Sequence, residues 1–101
     1  MILSLYKDLK EENEYVLSKQ ILRSGTNPGA MVREAINAES KRDFMHKLKI
    51  AQKEVGETQY WLELLLDGDY ISKERFNEIY SLSDEIMRMI RSSVITISKN
   101  L

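Results

Sequence analysis

The sequence predicts an all-α protein with four helices. Apolar residues recur at steps of three and four along most of the 101-residue chain, which is the helical period. No stretch shows the strict alternation of apolar and polar residues that is typical of a β-strand, and no internal repeat is present. A chain of this length has room for one hydrophobic core, so we expect a single four-helix-bundle domain over residues 1–101.

The first predicted helix runs from about residue 3 to residue 23. Its apolar positions Leu9, Val16 and Leu17 are separated by charged residues, as in an amphipathic helix. The segment Ser24–Gly29 holds the only proline, Pro28, and is the one cluster of turn-forming residues. We therefore expect the first helix to end there and a short second helix to occupy residues 28–39.

The two remaining helices are predicted to be long. Ser40 and Asp43 resemble a capping box, which starts a third helix at residue 41. The helix should end at residue 67, where Gly68 can adopt the left-handed conformation. Ser72 can cap a fourth helix over residues 73–98.

Charge and cysteine content exclude several classes of function. The net charge of −1 gives no general argument for nucleic-acid binding, although a local basic patch remains open. The absence of cysteine excludes disulfides and thiolate metal sites. No apolar run is long enough for a membrane helix, and the first residues lack the pattern of a signal peptide, so we expect a cytoplasmic protein.

The predicted helix lengths leave apolar surface uncovered. A third helix of about 40 Å cannot be covered along its length by a second helix of about 15 Å. The end of the third helix is also apolar on nearly every side. These residues are Tyr60, Trp61, Leu62, Leu64, Leu65 and Leu66. We expect another subunit to cover this surface; the alternative is that these residues form the core of a monomeric bundle.

Four segments, in order, resemble one family. They are Leu17–Thr26 (LSKQILRSGT), Gly29–Ala35 (GAMVREA), Ser40–Leu48 (SKRDFMHKL) and Ile50–Leu65 (IAQKEVGETQYWLELL). Together they resemble the four helix bundle proteins, also called 23S ribosomal RNA intervening sequence proteins, closely over Leu5 to Ile71. Relatives of that family are accessory proteins of diversity-generating retroelements.

The resemblance implies an elongated antiparallel four-helix bundle that assembles as a homopentameric barrel. It implies no known activity. Some members are encoded within insertions of bacterial ribosomal RNA genes, and some relatives bind nucleic acid and a reverse transcriptase. Members usually have a longer first helix, so the start of this chain looks shortened by comparison.

One group of basic residues is a candidate nucleic-acid contact. Arg42, His46, Lys49 and Lys53 follow one another at steps of four, three and four on one side of the third helix. We call these four residues the basic stripe; they could contact RNA phosphates, aided by Arg23 and Arg33. Two alternatives remain, that the stripe is a solvated helix face or that acidic residues such as Glu11, Glu12 and Glu14 pair with it.

Four further positions are expected to have structural roles. The resemblance places Glu34 and Glu57 at acidic positions of the family, and Arg23 in the motif before the loop. Carboxylates buried in a bundle need partners, and Arg23 or Arg33 could supply them. Gly56 indicates a close approach between helices, or else neutral drift.

The sequence offers no catalytic, cofactor or metal site. Asp43 and His46 are three residues apart, but a di-iron bundle needs a second such pair and the chain has one histidine. Gly25–Gly29 lacks the lysine and hydroxyl of a phosphate-binding loop, and nothing indicates a nucleophile elbow. We therefore predict a non-enzymatic, self-assembling bundle that acts as a scaffold in protein interactions, with an RNA-binding accessory protein as the alternative.

Overall fold

The protein is all-α, as predicted. A computed structural model describes residues 1–99, and within that range it contains four α-helices and no β-strand. They are α1 (Ile2–Glu11), α2 (Val16–Ile36), α3 (Lys41–Asp67) and α4 (Lys73–Ser98). Positions 100–101 of the predicted domain lie outside the described residues.

The predicted bounds of the first two helices, 3–23 and 28–39, are wrong. The chain breaks at residues 12–15 instead of at Ser24–Gly29, so the first helix has 10 residues and the second has 21. Asn13 causes the break because its φ of 64° lies in the left-handed region, which Asn tolerates better than most residues. The NH groups of Asn13 and Glu14 then donate to the carbonyls of Lys10 and Leu9, which closes the end of α1.

Pro28 lies inside α2 and does not end it. Proline removes one backbone hydrogen bond and disfavours a helix interior. Pro28 and Ala35 are nevertheless buried in α2, and the Ser24 hydroxyl lies 2.9 Å from that of Thr58 in α3. Packing of α2 along α3 therefore outweighs the local preference for a turn.

Hydroxyl caps fix the starts of α3 and α4. Ser40 accepts a hydrogen bond from the NH of Asp43, and Ser72 accepts one from the NH of Arg75. The prediction that Gly68 adopts the left-handed conformation is wrong by one position. Gly68 has a φ of −85°, and Asp69, with a φ of 60°, takes the left-handed conformation.

α3 is the central helix of an elongated body that measures 47 × 21 × 16 Å. α2 and α4 pack on either side of α3 and run antiparallel to it, while α1 packs against the first half of α2. No Cα of α2 comes within 8 Å of a Cα of α4 in the described chain. The two flanking helices are therefore separated along their length.

The short α1 completes the bundle at one end only. Leu5 and Leu9 of α1 are buried in one core, which also contains Leu62, Leu65 and Ile79. The second core, at the other end, consists of residues from α2, α3 and α4 alone. One helix is much shorter than α3, as predicted, but the short helix is α1 and not the second helix. α1 is about 15 Å long, whereas α3 is about 40 Å long.

Candidate functional site

A cluster of charged residues joins α2 to α3. Arg23 donates hydrogen bonds to Glu54, over 2.9 Å, and to Glu57. The indole NH of Trp61 lies 3.3 Å from the same oxygen of Glu57. The hydrogen bond from Arg23 lowers the pKa of Glu57 below its ordinary value, and the same bond raises the pKa of Arg23. Glu54, whose side chain is only 11% exposed, was not among the predicted structural residues.

Two of the expected structural residues lie in different surroundings from those predicted. Glu34 is half exposed and pairs with Lys47 at 3.3 Å, not with Arg23 or Arg33. A Cβ atom built at Gly56 would meet only the Met87 methyl group at 3.8 Å, which is an ordinary contact. The expected close helix approach at Gly56 is therefore wrong.

Tyr60, Trp61 and Leu64 form an aromatic and aliphatic surface that we call the α3 patch. Tyr60 is 53% exposed, and its ring meets that of Trp61 edge to face at 5.1 Å. Trp61 and Leu64 are half-buried. Leu62 and Leu65, which were grouped with them in the sequence, are instead fully buried in the core.

The basic stripe lies on the solvent-exposed side of α3. All four of its residues are exposed, and within residues 1–99 none of their side chains forms a hydrogen bond or an ion pair. Glu14, one of the acidic residues considered as partners, is buried and accepts a hydrogen bond from the NH of Ser18. The alternative prediction that Glu14 pairs with the basic stripe is therefore wrong.

Charge is strongly segregated along the long axis of the molecule. We divide α2, α3 and α4 near their midpoints and call residues 27–53 and 86–99 the basic end and residues 1–26 and 54–85 the acidic end. The basic end has nine Lys and Arg against three Asp and Glu, whereas the acidic end has six against thirteen. The overall charge of −1 thus conceals ends of +6 and −7.

An apolar groove between α2 and α4, which we call the α2–α4 groove, extends across the boundary between the two ends. Its volume is about 520 Å³, and Val55 and Thr58 of α3 form part of its floor. Its walls include Gly25, Pro28, Gly29 and Val32 of α2 and Leu82, Ile86 and Met89 of α4. Ile86 is 45% exposed. The groove was not predicted because Gly25–Gly29, expected to form a loop, lies inside α2.

No group of three or more His, Asp or Glu side chains within residues 1–99 is placed to hold a metal ion. None of the helices formed by those residues combines the length and apolar character that crossing a membrane requires.

Comparisons with known proteins identify a family and similar solved structures. The family model described as 23S rRNA-intervening sequence protein matches residues 1–92. A crystal structure of a protein of unknown function from the S23 ribosomal protein family of Bacteroides thetaiotaomicron is similar, with 51% identity and a TM-score of 0.90. The match covers 92% of this chain and 87% of that one. No curated protein matches the chain.

Proposed function

The chain belongs to the 23S rRNA-intervening sequence protein family, and on that basis we propose that it is a non-enzymatic, self-assembling helical bundle that acts as a scaffold for protein interactions. The single observation that carries this proposal is the α3 patch, in which Tyr60 is 53% exposed and Trp61 and Leu64 are half-buried. Aromatic residues with large exposed apolar areas are enriched where proteins associate. The resemblance to the family supplies the number of subunits, five.

The α3 patch suits a contact between subunits. The rings of Tyr60 and Trp61 already pack edge to face, which reduces the side-chain entropy that is lost when they are covered. Leu64 lies one helical turn from Tyr60 and extends the same surface. The assembly would bury this patch while the charged residues around it remain in water.

The experiment is to place a charge in the patch and measure the mass in solution. Tyr60→Glu combined with Leu64→Glu should convert the pentamer to smaller species, because two carboxylates would be buried without partners. Ile95→Glu on α4 is the matched control, since Ile95 is 56% exposed and lies away from the patch. If the double variant keeps the wild-type mass, the α3 patch is not the contact.

Segregation of charge favours a second candidate, RNA binding through the basic stripe. Arg88 and Arg91 of α4 are also exposed and belong to the basic end. Electrostatic binding to phosphates depends on such local charge and not on the net charge of the protein. A ring of five subunits would repeat the stripe and strengthen weak individual contacts through avidity.

Charge reversal distinguishes this candidate from scaffolding alone. Lys49→Glu with Lys53→Glu should abolish retention of RNA at low salt and leave the oligomer mass unchanged. Lys19→Glu with Lys73→Glu makes the same change in charge at the acidic end, where both lysines are exposed, and should leave retention as it is. Equal effects from both pairs would contradict a specific role for the stripe.

A further inference from the structure

The surface seam between α3 and α4 is bordered by residues from both helices. Gln59 of α3 donates hydrogen bonds to Ser83 and Asp84 of α4, both over 2.9 Å. Further along, the hydroxyl of Ser98 of α4 lies 3.3 Å from the sulfur of Met45 of α3. Residues at helical spacing from these contacts share the same side of each helix. We call them the α3–α4 face: Lys49, Gln52, Gly56, Gln59 and Glu63 of α3, and Asp84 and Arg91 of α4.

On α3, this face has opposite charges at equal distances from Gly56. Lys49 and Glu63 are each seven residues from Gly56, which is about 10.5 Å along the helix. A half-turn about an axis that lies in the face and crosses α3 at Gly56 therefore places Lys49 opposite Glu63 of a second copy.

The same half-turn pairs opposite charges on α4. Met87 is level with Gly56, because a Cβ atom built at Gly56 would lie 3.8 Å from the Met87 methyl group. Arg91 lies four residues after Met87, and Asp84 lies three residues before it. Each helix thus contributes a basic half and an acidic half, and one axis exchanges the halves on both helices.

Within residues 1–99, these four charged residues have no ionic partner, because the ion pairs of that range join other side chains. Lys49, Glu63 and Arg91 are exposed, and Asp84 is half-buried. Burial raises the pKa of Tyr80 above its ordinary value, and the negative charges of Glu63 and Asp84 raise it further. These two carboxylates are therefore available to cations from another molecule.

Gly56 lies where two copies would come closest. Packing within one chain does not require a glycine there, since an added Cβ atom would make only an ordinary contact with Met87. Glycine is also a poor helix former relative to alanine. Gln52 and Gln59, which flank it, are half-buried and uncharged. The middle of the face is therefore low and neutral, which lets two α3 helices approach each other closely.

We propose that two copies of this chain associate through the α3–α4 face, with their α3 helices antiparallel and crossing at Gly56. Lys49 of each copy faces Glu63 of the other, and Arg91 of each copy faces Asp84 of the other. The half-turn makes each pair twice, so that four ion pairs form. Exposed ion pairs are individually weak, and we expect a salt-sensitive association with a Kd on the order of 0.1 mM.

This contact is separate from the α3 patch. The indole of Trp61 shares Glu57 with Arg23 of α2, so the α3 patch lies towards α2, whereas Gly56 faces α4. A ring is closed by contacts between unlike surfaces, but the half-turn joins like surfaces, so it joins one assembly to another. At low micromolar concentration the contact is open and leaves the mass of each assembly unchanged.

Sedimentation equilibrium tests the pairing. At low salt the mass of the wild type should increase as the protein concentration rises from about 10 µM to about 1 mM. The increase should disappear at about 0.5 M salt, because screening weakens exposed ion pairs. A mass that stays constant over this range at low salt would overturn the proposal.

Charge reversal tests which residues pair. Glu63→Lys with Asp84→Lys makes the four charged positions all basic, and Lys49→Glu with Arg91→Glu makes them all acidic. Either variant alone should associate at least tenfold more weakly than the wild type. An equal mixture of the two should associate again, because each basic position then faces an acidic one. Undiminished association of either variant alone, or a mixture that does not associate, would contradict the pairing.

Glu78→Lys with Glu85→Lys is the matched control for the all-basic variant. Both residues are exposed and lie on another side of α4, seven residues apart like Asp84 and Arg91. The same change in net charge at these positions should leave the association as it is in the wild type. An equal loss in the control would mean that net charge, and not the α3–α4 face, drives the association.

Cross-linking tests the register of the two helices. The chain has no cysteine, so a disulfide between copies can form only at introduced positions. Gln52→Cys mixed with Gln59→Cys should form one readily, because the crossing at Gly56 places these two positions opposite each other. Two copies of the same position would lie about 9–12 Å apart along the helix, beyond the limit of about 7 Å between the Cα atoms of a disulfide.

Each cysteine variant alone should therefore cross-link at least tenfold more slowly than the mixture, and equal rates would overturn the antiparallel register. The result does not depend on the ring contact. The mixture should cross-link equally well when both cysteine variants also contain Tyr60→Glu and Leu64→Glu, whether or not those substitutions reduce the mass of the assembly.

Discussion

Removing Arg23 should destabilise the bundle through the carboxylates that it leaves behind. In Arg23→Ala, Glu54 loses its 2.9 Å hydrogen bond while its side chain stays largely buried, and Glu57 loses its bond to the same guanidinium. Breaking a fully buried ion pair costs about 3–5 kcal/mol. Arg23 is half exposed, so water screens part of the interaction, and we expect a loss of about 2 kcal/mol.

Calorimetry at neutral pH measures this loss. For a domain of this size, about 2 kcal/mol corresponds to a fall in Tm of roughly 8–16 °C. Arg75→Ala is the matched control, because Arg75 pairs with Asp8 at 2.7 Å but the Asp8 carboxylate is exposed. An exposed pair of this kind contributes less than about 1 kcal/mol. Equal losses in the two variants would refute the role assigned to burial of Glu54.

The same variant should have a particular dependence on pH. The pKa of Glu57 is lower in the folded protein than its ordinary value of 4.5, so its contribution to stability is present above pH 4.5 and is lost as the pH falls through the folded value. Arg23→Ala lacks this contribution. The difference in stability between wild type and variant should therefore shrink as the pH is lowered from 7 towards 3, and a difference that stays constant would contradict the assignment.

Three further predictions, each tested by thermal or urea unfolding, concern the turn after α1, the cap of α4 and burial in the core. Asn13→Ala should cost about 1 kcal/mol because of the positive φ, and Asn13→Gly should cost less; equal effects would mean that the left-handed turn is unimportant. Ser72→Ala should cost about 1 kcal/mol through loss of the cap of α4, whereas no loss would show the cap to be dispensable. Leu62→Ala should cost about 2–5 kcal/mol because Leu62 is fully buried, while Leu82→Ala at the open groove should cost less than about 1 kcal/mol because Leu82 is 41% exposed; similar losses would contradict the difference in burial between the core and the groove wall.

The long helices could be predicted because their local and tertiary signals agree. Ser40 and Ser72 are strong caps at the start of regular apolar patterns, and α3 and α4 begin directly after them. In the first third of the chain the signals conflict. Pro28 favours a break that packing on α3 overrides, and the actual break depends on one left-handed residue, Asn13, within an otherwise helical pattern.

The candidate sites depend on how the helices are placed together, which the sequence shows only in part. The spacing of Arg42, His46, Lys49 and Lys53 places them on one side of a helix, and their exposure in the structure fits that arrangement. Their spacing does not reveal that Arg88 and Arg91, some forty residues later, belong to the same basic end. The α2–α4 groove could not be predicted at all once residues 24–29 were taken as a loop, because its wall is the middle of α2.

The most direct test of self-assembly is the native mass of the unmodified protein at low micromolar concentration. Native mass spectrometry, with light scattering as a check, should give about 59 kDa, five times the chain mass of 11.8 kDa. The species should be free of nucleic acid at high salt. A single species of 11.8 kDa at all concentrations would contradict the proposal that this protein functions as an assembly.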